Sequence, residues 1–189
     1  MNEVELIRGQ LTLERQHAAE VARACASALA AAGSRGTGRL ASLEAFRQAG
    51  VEYLVWMLSR FEEREQVFHD LLRGRFPTED ANRRAVEAAL ALPGTSREAL
   101  AKLETALAAT VDSDGAATRW TDFLRFFSGA WSARRDEIDR LFERQAKVTD
   151  WRTVSDIDAD SIVDERSRYA RVKATLPAGV EMSPSASHL

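Results

Sequence analysis

The sequence predicts an all-α protein: an antiparallel, up-and-down four-helix bundle with additional short C-terminal helices. Three observations point there. Ala, Leu, Glu and Arg dominate the composition, and all are good helix formers. Four long stretches repeat apolar residues at the three- and four-residue spacing of one helix face. The 189 residues contain only 4 Pro and 10 Gly, too few for the many turns of a sandwich or barrel.

The first long helix is expected from Val4 to Ala32, ending at the glycine-rich run Gly33-Ser34-Arg35-Gly36-Thr37-Gly38. Its Ala-rich centre, Ala18 to Ala32, lets a neighbouring helix approach closely. The second follows Thr37-Gly38, with Ser42 as candidate cap, and runs to Leu72 or Arg75. Its stripe reads Phe46, Gly50, Tyr53/Leu54, Met57, Phe61, Arg64/Glu65, Phe68 and Leu72. Pro77 closes it, and Thr78-Glu79-Asp80 caps a short helix ending near Leu92. After the turn Pro93-Gly94-Thr95-Ser96, Ser96 is the candidate N-cap of a helix carrying Leu100, Leu103, Leu107 and Val111, which Asp112-Ser113-Asp114-Gly115 ends. The fourth long helix spans Ala116 to Lys147, with Trp120, Phe123/Leu124, Phe127, Trp131, Arg135, Ile138 and Leu141/Phe142 on one stripe. A short amphipathic helix from Asp150-Trp151 to Ile162 and another from Arg166 to Leu176 follow. Residues 1–180 read as one domain and 181–189 as a disordered Ser/Pro-rich tail.

The net charge of −3 and the absence of a clear Lys/Arg cluster argue against a nucleic-acid partner. No apolar run approaches the roughly 20 residues needed to span a bilayer. The N-terminal MNEVELIRGQ lacks the basic-then-apolar pattern of a secretory signal. A cytoplasmic protein is expected. Single Cys25, in an Ala-rich helix, reads as a buried small apolar residue rather than a reactive thiol. His69, near the end of the second helix, suits a surface or capping role better than ligation, and His188 lies in the tail. The mixed-sign runs around Arg60–Glu65 and Arg134–Glu137 read as solvated helix faces. Asp156, Asp158, Asp160 and Asp164 lack the Gly and terminal Glu of a calcium loop. The aromatic stripe, Trp120, Phe123, Phe127 and Trp131 with Tyr53 and Phe61, reads as core, a pocket for an apolar ligand being the other option. Trp56 falls beside the inward stripe, facing a fifth helix or a partner subunit. No Ser/His/Asp or Cys/His pairing, phosphate loop or CxxC motif is present, so no enzymatic role is expected.

The second and fourth helices echo each other. Glu62-Glu63 aligns with Asp136-Glu137, and Val67-Phe68 with Leu141-Phe142. With the first-helix run Leu13-Glu14-Arg15-Gln16-His17-Ala18-Ala19-Glu20 and the segment Asp150-Trp151-Arg152-Thr153-Val154 followed by Tyr169 and Leu176-Pro177, this pattern resembles the hemerythrin-like (HHE cation-binding) family over about residues 8 to 180. That resemblance implies two non-haem irons held between four helices. The second and fourth helices would each supply a His and, one turn later, a carboxylate, because that spacing puts both side chains on one inward face. Here the corresponding pairs are Met57 with Phe61 and Trp131 with Arg135, and no histidine lies between His69 and His188. The expected former metal cavity is therefore lined by His17, Met57, Phe61, Trp131 and Arg135. Its buried Arg135 needs an acidic partner, for which Glu62, Glu63 and Glu14 are candidates.

Three functional readings follow. The first is a non-catalytic binding or sensing module without a cofactor, for a protein partner or a small apolar ligand. The alternative handles oxygen or nitric oxide with non-haem iron, in a remodelled site of His17, Glu20, Glu62, Glu63, Asp136 and Glu137. The third is a structural homodimer joined through Trp56 and the Ala-rich face of the first helix.

Overall fold

A computed structural model describes residues 2–32, 40–108, 114–155 and 159–182. Every regular element among them is helical. In chain order these are α1 (Glu3–Ala32), α2 (Leu40–Arg75), α3 (Ala81–Leu90), α4 (Ser96–Leu107), α5 (Asp114–Phe126), a π-helical turn (Phe127–Trp131), α6 (Ser132–Gln145), α7 (Val148–Ser155) and α8 (Ala159–Ala174). No described helix is long and apolar enough to cross a membrane.

The helix boundaries follow local chemistry. Asp80 caps α3, its carboxylate accepting from the Asn82 N–H. Thr95, not Ser96, caps α4. Only Thr95 has a Glu three residues on, and Glu98 completes a capping box by accepting from the backbone N–H of Thr95. Ser96 is instead buried, and its hydroxyl accepts from Trp131 Nε1 at 3.1 Å. Gly94 has φ 97°, and a Cβ there would stand 2.2 Å from the Ala130 carbonyl oxygen, so the turn before α4 sits directly on the π-helical turn. The last two helices divide earlier than the spacing suggests. Ile162 belongs to α8, which begins at Ala159, well before Arg166. The glycine-rich run 33–38, Val111, Asp112, Ser113, Asp156, Asp158, His188 and most of the expected tail lie outside the described residues.

The long helices pack pairwise, α1 along α2, α4 along α5, α2 against α4 and α1 against α5. Helix α8 lies on α2 and α1, and α7 on the same pair. At the α1–α2 crossing Gly50 permits close approach, since a Cβ there would meet Cys25 Sγ at 2.6 Å. The apolar interior falls into two clusters. One joins the Ala-rich half of α1 to Phe46, Leu54, Met57, Leu58 and Phe61 of α2, to α4, and to Trp120, Phe123, Phe127 and Trp131. The other gathers Ile7, Phe68, Leu72, Val86, Ala89, Ile138, Leu141, Phe142 and Trp151. In α1, α2 and α6 alike, the residues between the two clusters are charged: Glu14, Arg64 with Glu65, and Arg134 with Arg135.

Candidate functional site

The inward positions of the expected metal cavity are filled. Met57 is completely buried and Phe61 and Trp131 nearly so. The Phe61 and Trp131 rings meet edge to face at 5.3 Å, and Phe127 stacks on Trp131 at 4.4 Å. Such contacts close the space that an apolar ligand would need. The guanidinium of Arg135 lies 5.6 Å from the Phe61 ring centre.

Below this apolar layer runs a belt of ion pairs. Arg64 Nη1 donates to Glu14 Oε2 at 2.6 Å, and its Nε donates to the Ser155 carbonyl at 2.8 Å. Arg135 Nη1 donates to Glu65 Oε2 at 3.0 Å, while Arg134 binds Glu65 Oε1. The partner of Arg135 is therefore Glu65 rather than Glu62, Glu63 or Glu14, because Glu65 lies one turn beyond Phe61 on the face towards α6. Burial pulls the Arg135 guanidinium below its ordinary range, opposed by the charges of Asp139 and Glu65. Arg64, Arg134 and Arg135 are buried, so neither mixed-sign run is simply a solvated face. The reason lies in reach. Arg134 extends to the Ala89 and Leu90 carbonyls at 3.1 and 2.7 Å and closes the C-terminal end of α3.

A second polar cluster lies where α8 meets α1 and α2. Glu14, His17 and Glu20 recur every three residues and share one face of α1. His17 Nδ1 lies 2.8 Å from Glu165 Oε1, and the Tyr53 hydroxyl donates to the same oxygen at 2.7 Å. Glu165 is fully buried, and its Oε2 has no hydrogen-bond partner among the described residues. Tyr169, one turn along α8, stacks on the His17 imidazole at 3.7 Å and donates its hydroxyl to Glu20. Burial, with the carboxylate of Glu165, drives the Tyr53 phenol far above its ordinary pKa, so it stays protonated and a donor.

The remaining candidate ligands point elsewhere. Glu62 pairs with exposed Arg97, and Glu63 is exposed. Asp136 sits on the exposed side of α6 near Arg15, and Glu137 pairs with Arg140. Among the described residues no three His, Cys, Asp or Glu side chains converge in a way that could hold a metal ion. The residues at the positions where the resemblance implies ligands do not fit a pair of irons. They offer one imidazole, already turned to Glu165, together with a thioether, two aromatic rings and a cation.

No family model, curated protein or solved structure matches the chain.

Other candidates resolve as follows. Burial pushes the Cys25 thiol up to about 12, so it is unreactive near neutrality. His69 does not cap a helix, since α2 continues to Arg75. It lies beside Asp70, and burial and Arg73 lower its pKa. Arg75, the last residue of α2, closes the end of α6 by donating to the Gln145 carbonyl at 2.6 Å, and it binds Asp150. Trp56 is half-buried beneath the guanidinium groups of Arg60 and Arg168, the latter on α8. Ala18, Ala22, Ala24 and Ala28 are buried within the chain, whereas Ser27, Ala30 and Ala31 of the same helix are exposed. A groove of about 360 Å³ between α1 and α6 is edged by Arg8, Arg15, Asp139 and Glu143, which neutralise one another. Two residues central to the α8 seat, Glu165 and Tyr53, gave no sequence signal as polar-site residues. The three-residue spacing of Glu14, His17 and Glu20 was the available clue.

Proposed function

We propose that this chain is a divergent hemerythrin-like domain whose long helices form an antiparallel four-helix bundle of α1, α2, α4 and α5–α6. In this reading it has lost the di-iron site and serves as a non-catalytic, cytoplasmic binding or sensing module. The observation that carries it is the occupation of the inward positions by packing: Met57, Phe61 and Trp131 are buried side by side, and Arg135 shares the single carboxylate of Glu65 with Arg134, which leaves an excess of positive charge there. A cation in that layer would repel iron, and the aromatic rings give it nothing to bind. The polar seat under α8, not the filled cavity, is then where a ligand or partner would act.

Metal content tests the reading. Protein purified from iron-replete cells should carry far less than one iron per chain and show no visible charge-transfer band. Two irons per chain would overturn it and favour the oxygen- or nitric-oxide-handling alternative.

A further inference from the structure

We infer that α1 and α2 carry a carboxylate-binding site, that Glu165 of α8 occupies it as an internal ligand, and that a small free carboxylate can displace this side chain. The inference deepens the binding-module reading and rests on it, naming the seat and the chemical class of its ligand.

Of the residues of α8 only Glu165 and Val172 are buried. Helix α8 therefore enters the body of the protein on a carboxylate, the side chain least suited to burial unless specific donors receive it. Those donors belong to the other elements, Tyr53 to α2 and His17 to α1, and both converge on one oxygen of Glu165. The second oxygen, Oε2, is buried and unpartnered. Arg64 Nη2, in the neighbouring belt, is likewise buried and unpartnered. A carboxylate evolved as a fixed anchor normally has its lone pairs filled, as those of Glu65 are by two guanidinium groups. Glu165 instead meets a phenol and an imidazole, donors that accept any carboxylate presented at the same point. The stacked pair of His17 and Tyr169 and the Tyr169–Glu20 hydrogen bond break along with the seat when α8 lifts, which couples occupancy of the site to the position of the helix.

Because Glu165 is tethered, its effective concentration at the seat is in the millimolar range, and a competitor must exceed it. Formate and acetate at tens of millimolar, against chloride at equal ionic strength, are suitable probes. The experiment follows hydrogen–deuterium exchange across residues 159–174 in the full chain. Glu165→Ala should raise exchange in α8 by ~10-fold, and formate, but not chloride, should restore most of the protection. Adding Tyr53→Phe to Glu165→Ala should abolish that recovery. In the wild-type protein acetate should accelerate exchange in α8 while α1 and α2 remain protected. If Glu165→Ala fails to fold, the wild-type measurement decides alone. Formate acting no better than chloride on both proteins would overturn the inference. So would recovery in the variant with no response in the wild type, since Glu165 would then be a fixed anchor. Iron content is read independently, so an iron-loaded protein and a carboxylate-blind protein are separate failures.

Discussion

The belt of Glu14, Arg64, Glu65, Arg134 and Arg135 and the seat of Glu165 are both buried and charged, yet they are built on opposite terms. In the belt, carboxylates meet guanidinium groups, Glu14 with Arg64 and Glu65 with Arg134 and Arg135. Glu65 has both oxygens engaged, and Arg134 ties the pair to the end of α3. In the seat, Glu165 meets a phenol and an imidazole and keeps one oxygen empty. The belt joins helices that already share apolar clusters, whereas the seat holds a helix whose one other buried residue is Val172. The belt is cross-bracing, and the seat is a reversible contact.

The largest effect expected is in the belt. Glu65→Ala leaves Arg134 and Arg135 buried without their carboxylate and should cost about 3–5 kcal/mol in a denaturant titration. Replacing Glu14 and Arg64 together by Leu and Met should instead be neutral or stabilising, because no uncompensated charge remains. If that double replacement were as damaging as Glu65→Ala, the belt would have a role beyond neutralisation.

In the seat, Tyr53→Phe removes one donor from a buried carboxylate and should cost about 1.5–3 kcal/mol. Exchange should rise in α8 and not in α3 or α6. A global loss of protection would erase the distinction between brace and contact.

Smaller effects belong to the periphery and calibrate the others. Thr95→Ala removes one half of the capping box on α4 and should cost about 1 kcal/mol, read as a lower melting temperature.

The smallest is a pH effect. Burial pushes the Asp150 carboxyl up, but the Arg75 side chain and the Lys147 N–H outweigh it and hold the carboxyl below its ordinary range. The Thr95 and Gly94 N–H groups do the same for Glu98. A carboxyl with a depressed folded pKa adds stability that is present above its unfolded value, near pH 4, and is lost as pH falls through the folded value. Asp150→Asn should therefore lower stability at neutral pH and flatten the acid limb of the melting curve. An unchanged acid limb would place the acid sensitivity elsewhere.

Much of the fold was legible because helical signals are local. The capping residue Asp80, the stop at Pro77 and the stripes from Phe46 to Leu72 and from Trp120 to Phe142 depend on neighbours within a turn or two. Thr95 was legible too, through Glu98, though Ser96 looked equally suitable until its burial against Trp131 was seen. The buried stripe of Met57, Phe61, Trp131 and Arg135 followed from helical spacing. Arg134 did not. Its burial rests on the reach of its side chain to Glu65 on α2 and to the Leu90 carbonyl at the end of α3, contacts between segments that apolar spacing does not report.

The sequence by itself determined where helices form and which faces are apolar. Only the tertiary structure decided which charges are buried and with whom. Glu165 sits in a helix rich in Asp, Glu and Arg and reads as one more solvated residue. Its burial depends on His17, 148 residues away, and on Tyr53, 112 away. Helix periodicity reports the faces of one segment, whereas a hydrogen bond between segments depends on how they are placed in space, and no local pattern encodes that.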